Sequence, residues 1–344
     1  MHRGTRLSAM ALLTSLGAMG AQAASFDCRQ AKTPLERAIC GAPALSRLDE
    51  QLAQSYQRAL GALSPSGAAA LKSSQRAWLR YLPRVCSPGQ PAGAEGCLIK
   101  EWESRLLALN QAGLKLGSRV LNRLDDYSTL PAPPNDHDGS APGMVSHHVA
   151  RLAIDAPRTP AEQRWNLDQK STDPPPVPSD SFGDETTDID VSIELGCASE
   201  RLLSQETTSY QYVHGTAHGQ WAVAASTSML EADLRPLNAA DLFVSGADWQ
   251  RKLPTMFWRS FRTRADAPSD AQAQAELRGV ISAVATDPSR WLITPAGLRI
   301  NFSAYEGSSY TGTPGPITVS WAELKPLLID GTPPRCDFSA LRPG

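Results

Sequence analysis

Hydrophobic residues recur every three or four positions in the first third of the chain, a spacing that is typical of amphipathic helices. Thr33 and Glu36 have the spacing of a capping box, which predicts the start of a helix. Two apolar stripes cover residues 71–82 and 98–109, and another is formed by Leu48, Leu52, Tyr56, Ala59 and Leu63. These patterns predict a small helical bundle over residues 24–110.

Beyond residue 143, apolar and polar positions alternate as they do in half-buried strands. The alternating runs are Val149–Ile154, Thr187–Leu195, Thr207–Val213, Trp221–Met229, Leu298–Phe302 and Ile317–Trp321. Two helical patterns interrupt these runs, Ala247–Arg262 and Ser269–Ala285. Pro254 is expected to break or kink the first. A turn at Pro295 joins Trp291–Thr294 to the next strand as a hairpin. The order predicts an α+β domain with a mostly antiparallel sheet and two or three helices.

Prolines concentrate between the two patterns, since ten of the 27 lie between residues 127 and 180. We expect residues 111–143 to extend the last helix and then form a proline-rich linker. The second domain should span residues 144–336, and residues 337–344 should form a tail. A second proline cluster, at residues 174–178, predicts an extended surface loop within that domain.

The first 23 residues have the layout of a secretory signal peptide. Arg3 and Arg6 precede the short apolar stretch Leu7–Gly17, and Ala21–Ala23 has the small-residue pattern of a cleavage site. Neither this stretch nor any later one reaches the roughly 18 apolar residues that span a bilayer. We therefore expect cleavage near Ala23–Ala24 and a periplasmic or secreted protein without a membrane anchor.

Six cysteines in an exported chain are expected to form disulfides. Cys197 and Cys336 would pair within the second domain, but the sequence leaves three connectivities open for the first four cysteines. Two bridges of roughly 2–4 kcal/mol each would stabilise a bundle whose own core is marginal. The four cysteines of the helical region are Cys28, Cys40, Cys86 and Cys97.

The chain carries 33 basic and 35 acidic side chains without a long Lys/Arg run, which argues against a nucleic-acid partner. The charge is unevenly distributed along the chain. Residues 24–110 hold 11 basic and 7 acidic side chains, whereas residues 111–344 hold 20 basic and 28 acidic ones. The second domain would therefore attract a cationic partner.

The order of motifs in the helical region is distinctive. It runs Phe26-Asp27-Cys28, Thr33-x-x-Glu36-x-x-Ile39-Cys40, Leu45-x-x-Leu48-Asp49, Tyr56, Gln75-Arg76-Ala77-Trp78-Leu79, Cys86, Cys97-Leu98 and Arg105-x-x-x-Leu109. This order resembles the amino-terminal domain of the lysozyme inhibitor LprI family over residues 25–110. The resemblance implies lysozyme binding. Three polar residues of this region, Asp27, Gln75 and Arg105, form either a buried network or an exposed contact.

In the second domain, glycine and small residues surround two histidines directly after a predicted strand, which is typical of a tight loop. The segments that carry a second resemblance are Tyr210–Gly219, Leu237–Phe243, Leu292–Tyr305, Tyr310-x-Gly312 and Ile317–Leu324. Together they resemble the extracellular domain of the anti-sigma factor RsiV, which also occurs beside peptidoglycan deacetylase domains. The resemblance covers residues 144–329 and implies lysozyme binding. Since the sequence has no transmembrane or cytoplasmic anti-sigma pattern, we do not expect signalling across a membrane.

The sequence gives little support for catalysis. His214 and His218 are four residues apart, which would suit zinc on a helix, but the surrounding glycines predict a loop and no glutamate follows His214. The chain also lacks the Gly-x-Ser-x-Gly motif of a hydrolase nucleophile. We therefore predict no catalytic residue, no metal and no cofactor.

The two resemblances converge on an exported, non-enzymatic protein that binds lysozyme or a related muramidase and inhibits it, thereby protecting the cell wall. A muramidase cleft contains two catalytic carboxylates, so a loop with imidazole and hydroxyl groups could occupy it. The predicted inserting residues are Tyr212, His214 and His218, with Tyr305, Ser308 and Tyr310 as the alternative set. The acidic residues expected to attract the cationic enzyme include Asp184, Glu185 and Asp188.

Two other functions fit the sequence. An envelope protein without catalytic activity could bind peptidoglycan directly by stacking Trp or Tyr rings on sugars. An accessory protein of a cell-wall hydrolase or deacetylase is the second alternative.

Overall fold

The computed structural model describes residues 24–86, 93–132, 143–171, 186–307, 309–332 and 334–337. Four α-helices precede the first strand in these ranges, and three of them begin at a proline, whose missing N–H costs no hydrogen bond there. The predicted capping box of Thr33 and Glu36 is present. The helices are α1 Pro34–Gly41, α2 Pro43–Ala62, α3 Pro65–Val85 and α4 Gly93–Gln111.

These four helices enclose their own hydrophobic core. Leu45, Leu71 and Leu82 are at most 1 % exposed, and Trp78 meets Trp102 edge to face with ring centroids 4.8 Å apart. Two disulfides staple the bundle, Cys28–Cys40 and Cys86–Cys97. This pairing is one of the three that the sequence leaves open, and the predicted disulfide-stapled helical region is confirmed.

Seven strands then form one sheet in chain order. Neighbouring strands run antiparallel except β3 and β4, which pair in parallel from His147 opposite Ile189 to Val149 opposite Val191. The strands are β1 Leu114–Leu116, β2 Arg119–Pro131, β3 Met144–Ile154, β4 Thr187–Ala198, β5 Leu202–Val213, β6 Gln220–Leu230 and β7 Leu234–Pro236.

The stretch after α4 is not the predicted helical extension followed by a linker. Gly113 and Gly117 have φ of 74° and 57°, so the first ends the helix and the second makes the tight turn between β1 and β2. β2 pairs with β3 from Leu121 as far as Pro131. The prediction for residues 111–143 is therefore wrong over the two strands, and the sheet starts well before residue 144. Residues 133–142 of the predicted linker lie outside the described residues.

A further helix that the sequence analysis did not predict, α5 Pro160–Ser171, lies between β3 and β4 in the chain. Its Asn166 side chain accepts a hydrogen bond from the Ile154 N–H at 2.8 Å and donates one to the Ile154 carbonyl at 2.9 Å. An amide side chain thus satisfies the backbone at the end of β3 as a neighbouring strand would.

The rest of the chain packs a small second sheet and two long helices against the main sheet. The small sheet is antiparallel in the order β10-β9-β8, and its β8–β9 pair is the predicted hairpin. Pro254 lies inside α6 without ending it. The elements are α6 Trp249–Arg262, α7 Ala271–Ala285, β8 Leu292–Ile293, β9 Gly297–Ile300, β10 Ile317–Ser320 and α8 Trp321–Leu324.

The largest hydrophobic core lies between these helices and the two sheets. Phe257, Ile281, Trp291 and Val319 are all fully or almost fully buried there. The disulfide Cys197–Cys336 joins β4 to the segment after α8, as expected from the sequence. The predicted α+β class with a mostly antiparallel sheet is confirmed. None of the helices in the described ranges has the length and hydropathy to cross a membrane.

Candidate functional site

Several partner-binding residues expected from the sequence lie together at one end of the main sheet. Tyr212 at the end of β5 is the register partner of Asp188 at the start of β4. The loop of residues 214–219 follows and leads into β6, where Trp221 is the register partner of Tyr210. Of the predicted set, Asp184, Glu185 and Ser308 lie outside the described residues.

His214 is oriented by a carboxylate. Its Nε2 lies 3.0 Å from Asp188 Oδ2, and its ring centroid lies 5.9 Å from that of Tyr212. The other carboxylate oxygen of Asp188 accepts hydrogen bonds from the Ser146 N–H at 2.7 Å and its hydroxyl at 3.0 Å. Because the serine hydroxyl donates to the carboxylate and not to the imidazole, Ser146, His214 and Asp188 do not form a serine-hydrolase relay.

An aromatic cluster lies beside the pair of His214 and Asp188. It consists of His218, Trp221, Tyr305 and Tyr310. Tyr310 stacks on His218 with ring centroids 3.9 Å apart and meets the edge of Trp221 at 4.9 Å. Tyr305 lies 5.8 Å from Tyr310, and its hydroxyl is 3.4 Å from Nε2 of His218. The two residue sets that the sequence treats as alternatives therefore meet in space. Trp221 is a member that the sequence analysis did not single out.

The hydrogen bonds of His218 suit one tautomer of its neutral ring. Nδ1 lies 3.0 Å from the Gly219 carbonyl oxygen, which can only accept, so this nitrogen carries the hydrogen. In the neutral ring Nε2 is then an acceptor, and the Tyr305 hydroxyl donates to it. The imidazole thus fixes the tyrosine hydroxyl at the protein surface.

Tyr305 adopts a backbone conformation that is unusual for a residue with a side chain. Its φ is 64°, and the residue is 44 % exposed. The strain is maintained by the fixed loop around it, because the Tyr305 N–H donates to Thr313 at 3.0 Å and Glu306 makes two 2.9 Å contacts with Arg290. Non-glycine residues in this region persist where the surroundings impose them, and such residues concentrate at functional sites.

A second polar cluster is buried where the helical region packs on the sheet. This interface network consists of Gln75, Arg105, Arg123, Asp125 and His148. Arg105 donates from Nε to Gln75 at 2.9 Å and from Nη1 to Asp125 at 3.2 Å. Arg123 and His148 approach the other carboxylate oxygen of Asp125 at 3.1 and 3.0 Å. Gln75 and Arg105 therefore belong to a buried network, while Asp27 pairs at the surface with Arg29.

The interface network holds one carboxylate among three basic side chains. Burial by itself would raise the pKa of Asp125, but the hydrogen bond from His148 and the positive charges of Arg123, His148 and Arg105 lower it to about 2. Burial would lower the pKa of His148, but hydrogen bonds to Asp125 and Asp190 raise it to about 9. Both side chains are therefore charged at neutral pH, and Asp125 connects the sheet to the helical region through Arg105.

The described residues contain no group of three His, Cys, Asp or Glu side chains that could hold a metal ion. The surface at the sheet end instead presents aromatic rings, hydroxyls and imidazoles on ordered loops. Such a surface can stack on apolar or sugar rings and exchange hydrogen bonds with a partner.

Comparison with known proteins finds a likeness to solved structures and a match to a family model. A member of the DUF3298 family from Bacteroides fragilis NCTC 9343 has a TM-score of 0.40 and 13 % sequence identity, covering 62 % of this chain and 95 % of that one. No curated protein matches the chain. The family model described as "Lysozyme inhibitor LprI" matches residues 27–109. The helical region of this protein is therefore similar to the lysozyme inhibitor LprI family over these residues.

Proposed function

We propose that this protein is exported, binds lysozyme or a related muramidase, and inhibits it, thereby protecting the cell wall. The observation that carries the proposal is the match of residues 27–109 to the lysozyme inhibitor family. The three disulfides of the chain suit the periplasm or an extracellular location. The protein acts by binding and has no catalytic residue of its own.

We place a partner contact at the sheet end, on Tyr212, His214, His218, Tyr305 and Tyr310. Tyrosine is enriched among the residues that dominate binding energy, since it buries a large ring at a low cost in side-chain entropy. Tyr305 is 44 % exposed on an anchored loop, so little further ordering is needed on binding. Hydroxyl and imidazole groups can donate hydrogen bonds to the two carboxylates of a muramidase cleft.

Asp188 has a positioning role in addition to the one expected from its charge. Its two carboxylate oxygens bind Ser146 and His214, so the side chain positions the loop in addition to adding negative charge. The attraction of a cationic enzyme is then a property of the whole acidic second domain, as its excess of Asp and Glu suggests.

Titration calorimetry of residues 24–344 against c-type, g-type and i-type lysozymes tests the proposal. We expect stoichiometric binding to one type, weakened at least tenfold by His214→Ala and by Tyr310→Ala. Leu167→Ala is the matched control, because Leu167 is an exposed apolar residue, 60 % accessible, on α5. Unchanged affinity in both site variants would refute the sheet-end contact, and no binding to any lysozyme would refute the function.

A second candidate function is direct binding of peptidoglycan, which the aromatic cluster favours. Exposed rings such as Tyr305 can stack on sugar rings as they stack on other apolar faces. Sedimentation with purified, protein-free sacculi distinguishes the two candidates. Co-sedimentation of the wild-type protein that is lost on Tyr305→Ala, together with no heat on mixing with lysozymes, would replace the first candidate by the second.

A further inference from the structure

A cavity of about 240 Å³ lies between the helical region and the sheet, far from the aromatic cluster in the chain. One wall is the turn from α2 to α3, at Leu63 and Ser64, and another is the start of β2, at Arg119 and Val120. The segment from Ile154 to Glu162, which connects β3 to α5, closes the third side. The volume is enough for several waters or for a small organic molecule.

The acidic groups of the cavity wall are already bound to neighbours. Asp155 accepts the Ser64 hydroxyl at 2.7 Å and the Ser64 N–H at 2.6 Å, one on each carboxylate oxygen. Glu162 accepts Nε of Arg119 at 2.5 Å on one oxygen and the N–H groups of Arg158 and Thr159 on the other. Both carboxylates are therefore used in holding the wall together.

The basic groups of the wall retain unused donors. Arg119 donates from Nε to Glu162 and from Nη1 to the Glu200 carbonyl, and its Nη2 takes no part in these contacts. The Arg158 side chain is exposed at the cavity and makes no hydrogen bond or ion pair with the residues that the structure describes. A guanidinium has five N–H donors and no acceptor, so the wall offers a surplus of donors in one place.

A strained residue lies in the same wall. Ala156 has φ of 48°, a left-handed conformation that is unfavourable for a residue with a Cβ. It directly follows Asp155, whose two hydrogen bonds to Ser64 fix the chain at that point. Strain of this kind concentrates at ligand sites, and here it is an observation independent of the charges.

From these features we infer that the cavity binds a small monocarboxylate with a short apolar part. The unused guanidinium donors match the paired oxygens of a carboxylate. Leu63, Val120 and Ile154 also line the cavity, so its wall includes apolar residues that suit the remainder of the molecule. A doubly charged ligand such as phosphate is disfavoured, because Asp155 and Glu162 stand in the same wall and would repel the second charge. The site does not depend on the proposed lysozyme binding.

Saturation-transfer difference NMR on residues 24–344 tests the site, with butyrate as the probe, because the method detects weak ligands. Neutral butyramide and inorganic phosphate are the comparison compounds. We expect saturation of the butyrate methyl group, none for butyramide, and no displacement of butyrate by equimolar phosphate. Absence of transfer to butyrate, equal transfer to butyramide, or displacement by phosphate would overturn the assignment.

Arg158→Gln should weaken butyrate binding at least tenfold. Arg158→Lys should weaken it less, since lysine keeps the positive charge but cannot donate two parallel hydrogen bonds to a carboxylate. Arg164→Gln is the matched control, because Arg164 lies on the same helix with its side chain 71 % exposed and paired with Asp168. Equal loss in the two glutamine variants, or none in Arg158→Gln, would overturn the inference. Thermal unfolding of each variant confirms that it is folded.

Discussion

Replacing Asp125 by asparagine should destabilise the protein strongly, although the two side chains have the same size. The substitution keeps the size of the side chain but removes the carboxylate charge that Arg105 and Arg123 share in the interface network. Asp125 and Arg105 are each 1 % exposed. Asp125→Asn would therefore leave buried guanidinium groups without a counter-charge.

The size of the effect follows from the pKa values. The pKa of Asp125 falls from 3.8 to about 2, and that of His148 rises from 6.5 to about 9. At about 1.4 kcal/mol per pKa unit, each shift corresponds to roughly 2–3 kcal/mol, and the two shifts describe the same interaction, so they are not added. Removing one partner of a buried ion pair typically costs about 3–5 kcal/mol, because the remaining charges stay desolvated. We expect a loss in this range.

Urea and thermal unfolding followed by circular dichroism measure the loss. A destabilisation of about 3–5 kcal/mol should lower Tm by roughly 10 °C in a protein of this size. Asp126→Asn is the matched control, because this neighbouring residue has its side chain 63 % exposed and pairs with Arg151 at the surface. Exposed pairs contribute at most about 1 kcal/mol. If Asp125→Asn costs no more than Asp126→Asn, the buried network does not stabilise the fold as argued.

Three further predictions concern stability. Because the pKa of His148 is raised to about 9, its stabilising contribution is complete below pH of about 6.5 and is lost as the pH rises through 9. The urea midpoint of the wild-type protein should therefore fall between pH 7 and 10 more steeply than that of His148→Gln. Parallel profiles of the two proteins would contradict this. Replacing both Cys197 and Cys336 by serine removes a disulfide with a sequence separation of 139. The free energy of unfolding, measured by calorimetry, should fall by about 4–5 kcal/mol, because the unfolded chain is no longer closed into a loop. A fall below about 1 kcal/mol would contradict this argument. Gly297→Ala would press a methyl group against the Val319 carbonyl of the paired strand. It should therefore lower Tm by at least about 5 °C. An unchanged Tm would show that β9 and β10 can move apart to make room for the methyl group.

The sequence predicts those helices and strands in which the intrinsic preference of the residues and their burial favour the same secondary structure. Thr33 and Glu36 form their capping box because both residues lie within one helical turn. The alternation of Val149–Ile154 marks β3 because every second position of this run is buried and the positions between them are not. Both signals depend only on neighbours in the sequence, so they can be read without the rest of the chain.

β2 could not be found in this way. It buries the polar residues Asn122, Arg123 and Asp125, and the adjacent residues Asn122 and Arg123 lie on opposite faces, so the alternating apolar pattern is absent. Asp125 finds its partners Arg105 on α4 and His148 on β3, and no neighbouring residue of β2 indicates either partner. Because β2 is polar and lies beside a proline-rich stretch, its sequence is read as the extension of a helix followed by a linker.

The residues that we propose for the partner contact follow from the sequence one by one, but their arrangement does not. His218 and Tyr310 were placed in separate candidate sets, yet their rings stack although they are far apart in the chain. Trp221 completes the cluster because its register partner is Tyr210, and register between strands cannot be read from one strand alone. The pattern identified the type of residue at the surface, and the tertiary fold brought the residues together.

The measurement that tests the central claim most directly is a cell-wall lysis assay. A lysozyme that binds residues 24–344 is mixed with increasing amounts of the protein, and the rate of clearing of a wall suspension is followed. We predict that lysis falls to near zero close to one equivalent, and that Tyr310→Ala shifts the titration to higher protein while Leu167→Ala does not. Undiminished lysis at a large excess of the wild-type protein would contradict inhibition.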